Sequence, residues 1–166
     1  GNNNPYVQDN EISFTHWNLN ENQADFLRFT KWAVGILRSN PVFCRRNFLK
    51  DNDIKWLYPN GQERVDFEED DKPRVLGICL SGEGIDETDE WGHPIIGETT
   101  LILLNAENTA IPFVLPSLSE ETQEKTRWVL VLDTHRPQIL EQIIEGKGLY
   151  LLSERSISIF KMDHRH

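Results

Sequence analysis

The 166-residue sequence predicts a mainly β fold, an antiparallel β-sandwich preceded by one long helix and a loop. Three observations predict it. A single amphipathic run, "ENQADFLRFTKWAVGILRSNP", stands near the start. After residue 52 the texture changes to roughly six to eight short apolar runs punctuated by turn signals. Those runs do not alternate with helical stretches, so a parallel sheet is disfavoured and an antiparallel sandwich over residues 53–162 is expected. The chain divides accordingly into residues 1–50, loop plus helix, and residues 51–166, the β domain.

The elements follow in order. Residues 1–19 read as loop, opening on "NNNPYVQDNEISFTHWNL". Long irregular segments in compact proteins usually carry function. Asn20 is a helix N-cap with Gln23 three residues on, as in a capping box. Phe26, Thr30, Ala33 and Leu37 then share one helix face, widened by Leu27, Phe29 and Val34, and that face must pack against something. Pro41 ends the helix. "VFCRRNFL" is a short apolar segment whose state the pattern leaves open.

"DIKWLYPNGQER" reads as an aromatic-rich strand with a Pro-Asn-Gly turn. "EEDDKP" reads as a solvated loop. "RVLGICLSG", "ETTLILLNA" and "RWVLVLDT" are strand-like. "AIPFVLP" is a short strand whose prolines suit an edge. "GLYLLSERSISIF" gives two strands around a polar turn. In the last of them Ile157 and Ile159 alternate with Ser156 and Ser158, the pattern of a sheet with one wet face. There is no internal repeat and no low-complexity tract.

A hydrophobic fraction of 38% with five tryptophans is sufficient for a packed core. The formal net charge of −10 repels phosphate backbones. The most basic cluster, Arg45 and Arg46 with Lys50, is too small to reverse that, so no nucleic-acid partner is expected. Cys44 and Cys79 sit singly in apolar settings, which reads as two buried thiols in a reduced, cytoplasmic protein. No apolar run approaches the length of a membrane span, so no membrane partner is expected either.

Several residues could carry chemistry, and each also has a plainer role. Glu68, Glu69, Asp70 and Asp71 lack the spacing of an oxygen cage and read as a solvated loop. Asp86 and Asp89, in "DETDEWGHP", could hold a cation only weakly. His16, His93, His135, His164 and His166 include no pair at helical spacing, so no metal is expected. "SGEG" and "EGKG" are glycine turns without the context of a phosphate cradle, and no cofactor is implied. No strained serine elbow is present. Trp56, Tyr58, Trp91 and Trp128 could form a sugar platform. Trp56 and Trp128 fit the sandwich core better, and Trp91, beside Gly92 in an acidic loop, is the member expected at the surface.

On several quoted stretches the chain resembles the isoamylase-type glycogen-debranching enzymes of the α-amylase superfamily. "NNNPYVQDNEISFTHW" is similar to a family stretch that follows the last strand of the (β/α)8 catalytic barrel. "FLRFTKWAVGILRSNPVFCRRNF" resembles the family's next helix, and "DIKWLYPNGQE" the segment after it. "RVLGICLSGEGID", "TTLILLNAENTAIPFVLP", "WVLVLDT" and "RSISIF" also match, so the resemblance covers almost the whole chain. Phe14 stands where the family tends to have Trp, His16 where it has Asp and Val7 where it has Cys.

The resemblance implies that residues 1–50 are the end of a catalytic barrel and that residues 51–166 are a β-sandwich of the α-amylase C-terminal type. It implies a parent enzyme that hydrolyses α-1,6 branch linkages of glycogen or starch. A retaining glycosidase needs two carboxyl groups about 5–5.5 Å apart. In this superfamily they stand at barrel strand ends, which would lie upstream of residue 1. The chain is therefore expected to be a non-catalytic piece of that enzyme, with Gly1 a residue left by tag removal. Its partners would be the α-glucan and the barrel of the same polypeptide. Tyr6, Gln8, Asp9 and Asn10 would contact substrate, Tyr6 by stacking and the others by hydrogen bonds. The plainer role for Asp9, Asn10 and Glu11 is to brace the barrel rim. The alternative function is a stand-alone carbohydrate-binding module for α-glucans. A helix face severed from its barrel would also favour dimerisation through residues 24–37.

Overall fold

A computed structural model describes residues 6, 8–65, 74–118, 126–137 and 142–163. The chain forms two compact units, Gly1–Gly35 and Ile36–His166.

In the first unit Asn10 knots a short turn, and helix α1 (Glu21–Ser39) begins eleven residues later. Its start is the reciprocal box expected from the sequence. The Gln23 amide donates to Asn20 Oδ1 at 2.9 Å, and the Asn20 amide donates to Gln23 Oε1 at 3.0 Å. Asp25 pairs with Arg28 one turn on. Although α1 is amphipathic, it has no buried residue, and Phe26, Trp32, Val34 and Leu37 are all exposed.

The helix stops at Ser39 because Pro41 has no amide hydrogen for the ladder. Asn40 is buried and becomes a clamp. Its Oδ1 accepts from the Val42 and Glu98 amides, and its Nδ2 donates to the Glu98 carbonyl and to Thr100 Oγ1, both at 2.9 Å. The segment Pro41–Phe43, ambiguous in the sequence, is a turn of 3-10 helix that Asn40 caps.

Among the described residues the β domain has eight strands. β1 (Ile54–Leu57), β2 (Val75–Leu80), β3 (Thr100–Asn105), β5 (Arg127–Asp133), β6 (Ile143–Glu145) and β8 (Ser156–Met162) form an open antiparallel sheet in the order β1-β2-β3-β8-β5-β6. β4 (Ile111–Val114) and β7 (Leu149–Leu152) form a two-stranded antiparallel sheet. The expected antiparallel sandwich is what the chain forms, and a core lies between the sheets. Leu101, Leu103 and Phe160 of the large sheet meet Phe113, Tyr150 and Leu152 of the small one. Gly77 leaves room for this meeting, since a Cβ there would lie 2.7 Å from Phe113 Cζ. Pro112 sits in the two-stranded sheet opposite Leu151, where little of the ladder depends on its missing donor.

Several expectations are corrected. Ser156 and Ser158 face the core and Ile157 and Ile159 face outward, the reverse of a wet serine face. Register decides this, because Ser158 is paired with Leu103 and so shares its face. Ser158 is 0% exposed and its Oγ lies 3.1 Å from the Tyr150 hydroxyl. That hydroxyl donates to Asp133 Oδ2 at 2.9 Å, while the Tyr150 ring stands edge-on to Phe160 at 5.0 Å. The small Ser158 makes space for the tyrosine and helps satisfy its hydroxyl, while Ser156 Oγ donates to the Ser153 carbonyl.

The large sheet is consequently apolar on both faces. Trp56, Ile78, Ile102, Ile159 and Leu132 form one row of its outer face by direct cross-strand pairing. Trp56 thus belongs to that outer face and only Trp128 to the core. The strands of "GLYLLSERSISIF" lie in different sheets, so Ser153–Arg155 switches the chain from one sheet to the other. β6 has no counterpart in the sequence reading. Cys79 is buried as expected, but Cys44 is exposed. The acidic run Glu68–Asp71 and the tail histidines His164 and His166 lie outside the described residues.

Candidate functional site

The opening loop is organised by Asn10. Its carbonyl accepts from the amides of Ser13 (2.9 Å) and Phe14 (3.2 Å) and from the Ser13 hydroxyl. Its side chain accepts from the Ile12 amide at 3.0 Å and donates to Gln8 Oε1 at 3.1 Å. Two of the four expected substrate contacts, Gln8 and Asn10, thus bond to each other, and Asn10 also braces the turn. Tyr6 is 81% exposed and Asp9 is exposed, both open to a ligand.

The aromatic candidates separate sharply. Trp128 is fully buried, its indole N–H donating to the Pro116 carbonyl at 2.8 Å. Trp56 is half-buried in the outer sheet face. Tyr58 carries the Arg64 guanidinium 5.3 Å from its ring centre, which occupies one ring face. Trp91 is 74% exposed.

Trp91 tips a turn in which Thr88 and Pro94 are bridged. Asp89 Oδ1 accepts from the amides of Trp91 (2.9 Å) and His93 (2.8 Å), and Asp89 Oδ2 lies 3.3 Å from His93 Nδ1. The His93 amide, more than any other group, holds the Asp89 carboxyl below its usual range. Sequence reasoning weighed Asp89 as a weak cation ligand and missed this bracing role. The signal was present, an Asp followed by Gly three residues on, as in a side-chain-capped turn.

The other acids are also engaged. Asp86 pairs with Lys50, whose ammonium lowers its pKa. Asp53 is buried against Arg45 at 2.6 Å. The Lys50 amide is the chief cause of its lowered pKa, with Arg45 adding to it. Among the described residues, the carboxyl groups whose surroundings clearly move their titration, Asp53, Asp86 and Asp89, are all pushed down. They are ionised at neutral pH, whereas a general acid needs a raised pKa.

A cleft of about 1030 Å³ opens beside β1, with Leu57, Cys79 and Leu115 on its floor and Lys55, Glu63 and Lys147 around it. Burial pushes the Cys79 thiol up to about 11, so it is neither a nucleophile nor a metal ligand at neutral pH. Among the described residues no group of three or more His, Cys, Asp and Glu is placed to hold a metal ion. No helix among them is long and apolar enough to cross a membrane.

No protein-family model matches the chain. Curated relatives do. The glycogen operon protein GlgX homolog of Mycobacterium tuberculosis is 33% identical over 149 residues, covering 82% of this chain and 20% of the relative. The glycogen debranching enzyme of Dickeya chrysanthemi is 31% identical over 121 residues, covering 70% and 15%. That of Pectobacterium carotovorum is 31% identical over 119 residues, with the same coverage. The chain thus spans about a fifth or less of the length of the relatives it matches. With the mainly β fold, these similarities identify the chain as a region of the isoamylase-type glycogen-debranching family.

Proposed function

We propose that this chain is the non-catalytic C-terminal part of a hydrolase that cleaves α-1,6 branch linkages in glycogen or starch. Residues 1–50 complete the catalytic barrel and residues 51–166 stabilise it as a sandwich. Tyr6, Gln8, Asp9 and Asn10 line the substrate cleft of the whole enzyme, Asn10 shaping the turn that presents the others. Two free thiols fit a reducing, cytoplasmic setting.

The observation that carries the reading is the first unit. It holds a capped amphipathic helix and the apolar residues Ile12, Phe14, Trp17 and Phe26, all of them exposed. A stretch this apolar calls for a covering surface. The outer face of the large sheet, apolar along five strands, supports a second covered surface.

The test is turnover of a branched glucan by this chain and by a longer polypeptide that adds the upstream barrel. Only the longer one is expected to release linear chains. Release by the 166-residue chain alone would defeat the reading. Without its barrel, the helix face over residues 24–37 is expected to drive dimerisation. A monodisperse monomer in light scattering would contradict that part.

A further inference from the structure

We propose that the turn tipped by Trp91 is a binding site for α-glucan, with the indole stacking on the flat face of a pyranose ring. This rests on the reading that the protein works on α-glucan, and it places a contact on the β domain that the reading does not require.

Trp17 and Trp91 are each 74% exposed. Trp17 stands among Ile12, Phe14 and Leu19, all exposed, an apolar neighbourhood that suits a protein surface. Trp91 is flanked in the chain by exposed Glu90, Gly92 and His93, so an exposed apolar ring stands in a polar turn. A sugar presents the complementary surface, C–H groups on a flat face and hydroxyls around the rim.

The turn is also held ready. Asp89 fixes the Trp91 and His93 amides, the Ile95 amide donates to the Glu87 carbonyl at 2.8 Å, and Glu87 Oε1 accepts from the Arg46 amide at 2.6 Å. A ligand therefore meets a backbone already ordered, which lowers the entropic cost of binding. Gly92, at φ 83°, adds open space, since a Cβ there would meet nothing within 4 Å.

Charge selects the ligand class. Glu87, Asp89 and Glu90 lie within four residues of Trp91 in a chain of net charge −10, which disfavours anionic ligands. A cation would have to displace partners already in place, because Asp89 is occupied by turn donors and Asp86 by Lys50. A neutral polyol remains. Beside the turn, Arg46, Asn47, Glu83, Asp86 and Thr88 line an open cleft of about 510 Å³. It offers donors and acceptors to a sugar unit that follows a stacked one.

The test is affinity electrophoresis of the 166-residue chain through gels containing glycogen, with soluble maltooligosaccharide as competitor. The wild type is expected to be retarded and the competitor to relieve it. Trp91→Ala should bind at least about tenfold more weakly, equivalent to about 1.4 kcal/mol. Trp91→Phe, which keeps a ring, should fall between the two, and Trp17→Ala should migrate like the wild type. Thermal unfolding of each variant confirms that the fold is retained. Absence of retardation in the wild type, or equal retardation of wild type and Trp91→Ala, overturns the proposal. The assay reads binding and not bond cleavage, so that failure would leave the hydrolase reading standing.

Discussion

Residues 8–35 and the β domain are both supplied with large apolar side chains, and they use them in opposite ways. In the β domain Leu101, Phe113, Trp128 and Phe160 are fully buried. In the first unit Phe14, Trp17, Phe26 and Val34 are exposed. The difference teaches that an amphipathic pattern specifies a face but not its cover. A sandwich brings its own second layer, whereas one helix cannot.

The sharpest way to break this comparison is to cut the β core. Trp128→Ala removes the largest fully buried side chain and a hydrogen bond to Pro116. It is expected to lower stability by about 3–5 kcal/mol in urea unfolding. A loss within about 0.5 kcal/mol, the range of ordinary surface changes, would show that the sandwich is not the stable part.

Asp53→Ala should cost nearly as much, about 3–5 kcal/mol, because it strands the buried Arg45 guanidinium. The same pair sets a pH signature. The folded pKa of Asp53 is depressed below its unfolded value. Its contribution is therefore fully present above about pH 3.9 and is lost as pH falls through the lower folded value. Stability measured from pH 6 down to pH 2 should fall less steeply in the variant. Equal slopes would remove Asp53 from the acid response.

Tyr150→Phe probes the polar end of the core. It withdraws the hydroxyl from Asp133 and Ser158 while leaving the ring on Phe160. A cost of about 1–3 kcal/mol is expected. A neutral result would mean that Arg136, 3.1 Å from Asp133 Oδ2, satisfies the carboxylate without help. The smallest effect belongs to the other region. Phe26→Ala, at 70% exposed in the single chain, should change the stability of the monomeric 166-residue chain, measured at a dilution where no dimer forms, by no more than about 0.5 kcal/mol. A large loss would erase the contrast between the regions.

Much of this was legible beforehand because it depends on neighbours in sequence. The Asn20–Gln23 box is a local hydrogen-bond exchange, and both bonds form. Pro41 stops the helix for a local steric reason. Trp91, next to glycine in an acidic loop, was expected at the surface and lies there. The bracing role of Asp89 was not legible from the carboxylate alone, because a carboxylate has many uses and only the turn geometry chooses among them.

Serine and isoleucine in β8 alternate in the sequence, and that alternation determined that the strand has two unlike faces. Which face turns inward was settled only in tertiary structure, by the register with β3 and the space Tyr150 needs. Likewise, the sequence determined that strands flank Ser153–Arg155, and only the packing of two sheets placed them in different layers. Propensity, capping and turn chemistry act over a few residues. Register and layer are decided by residues far apart along the chain, whose fit becomes an energy only once they meet.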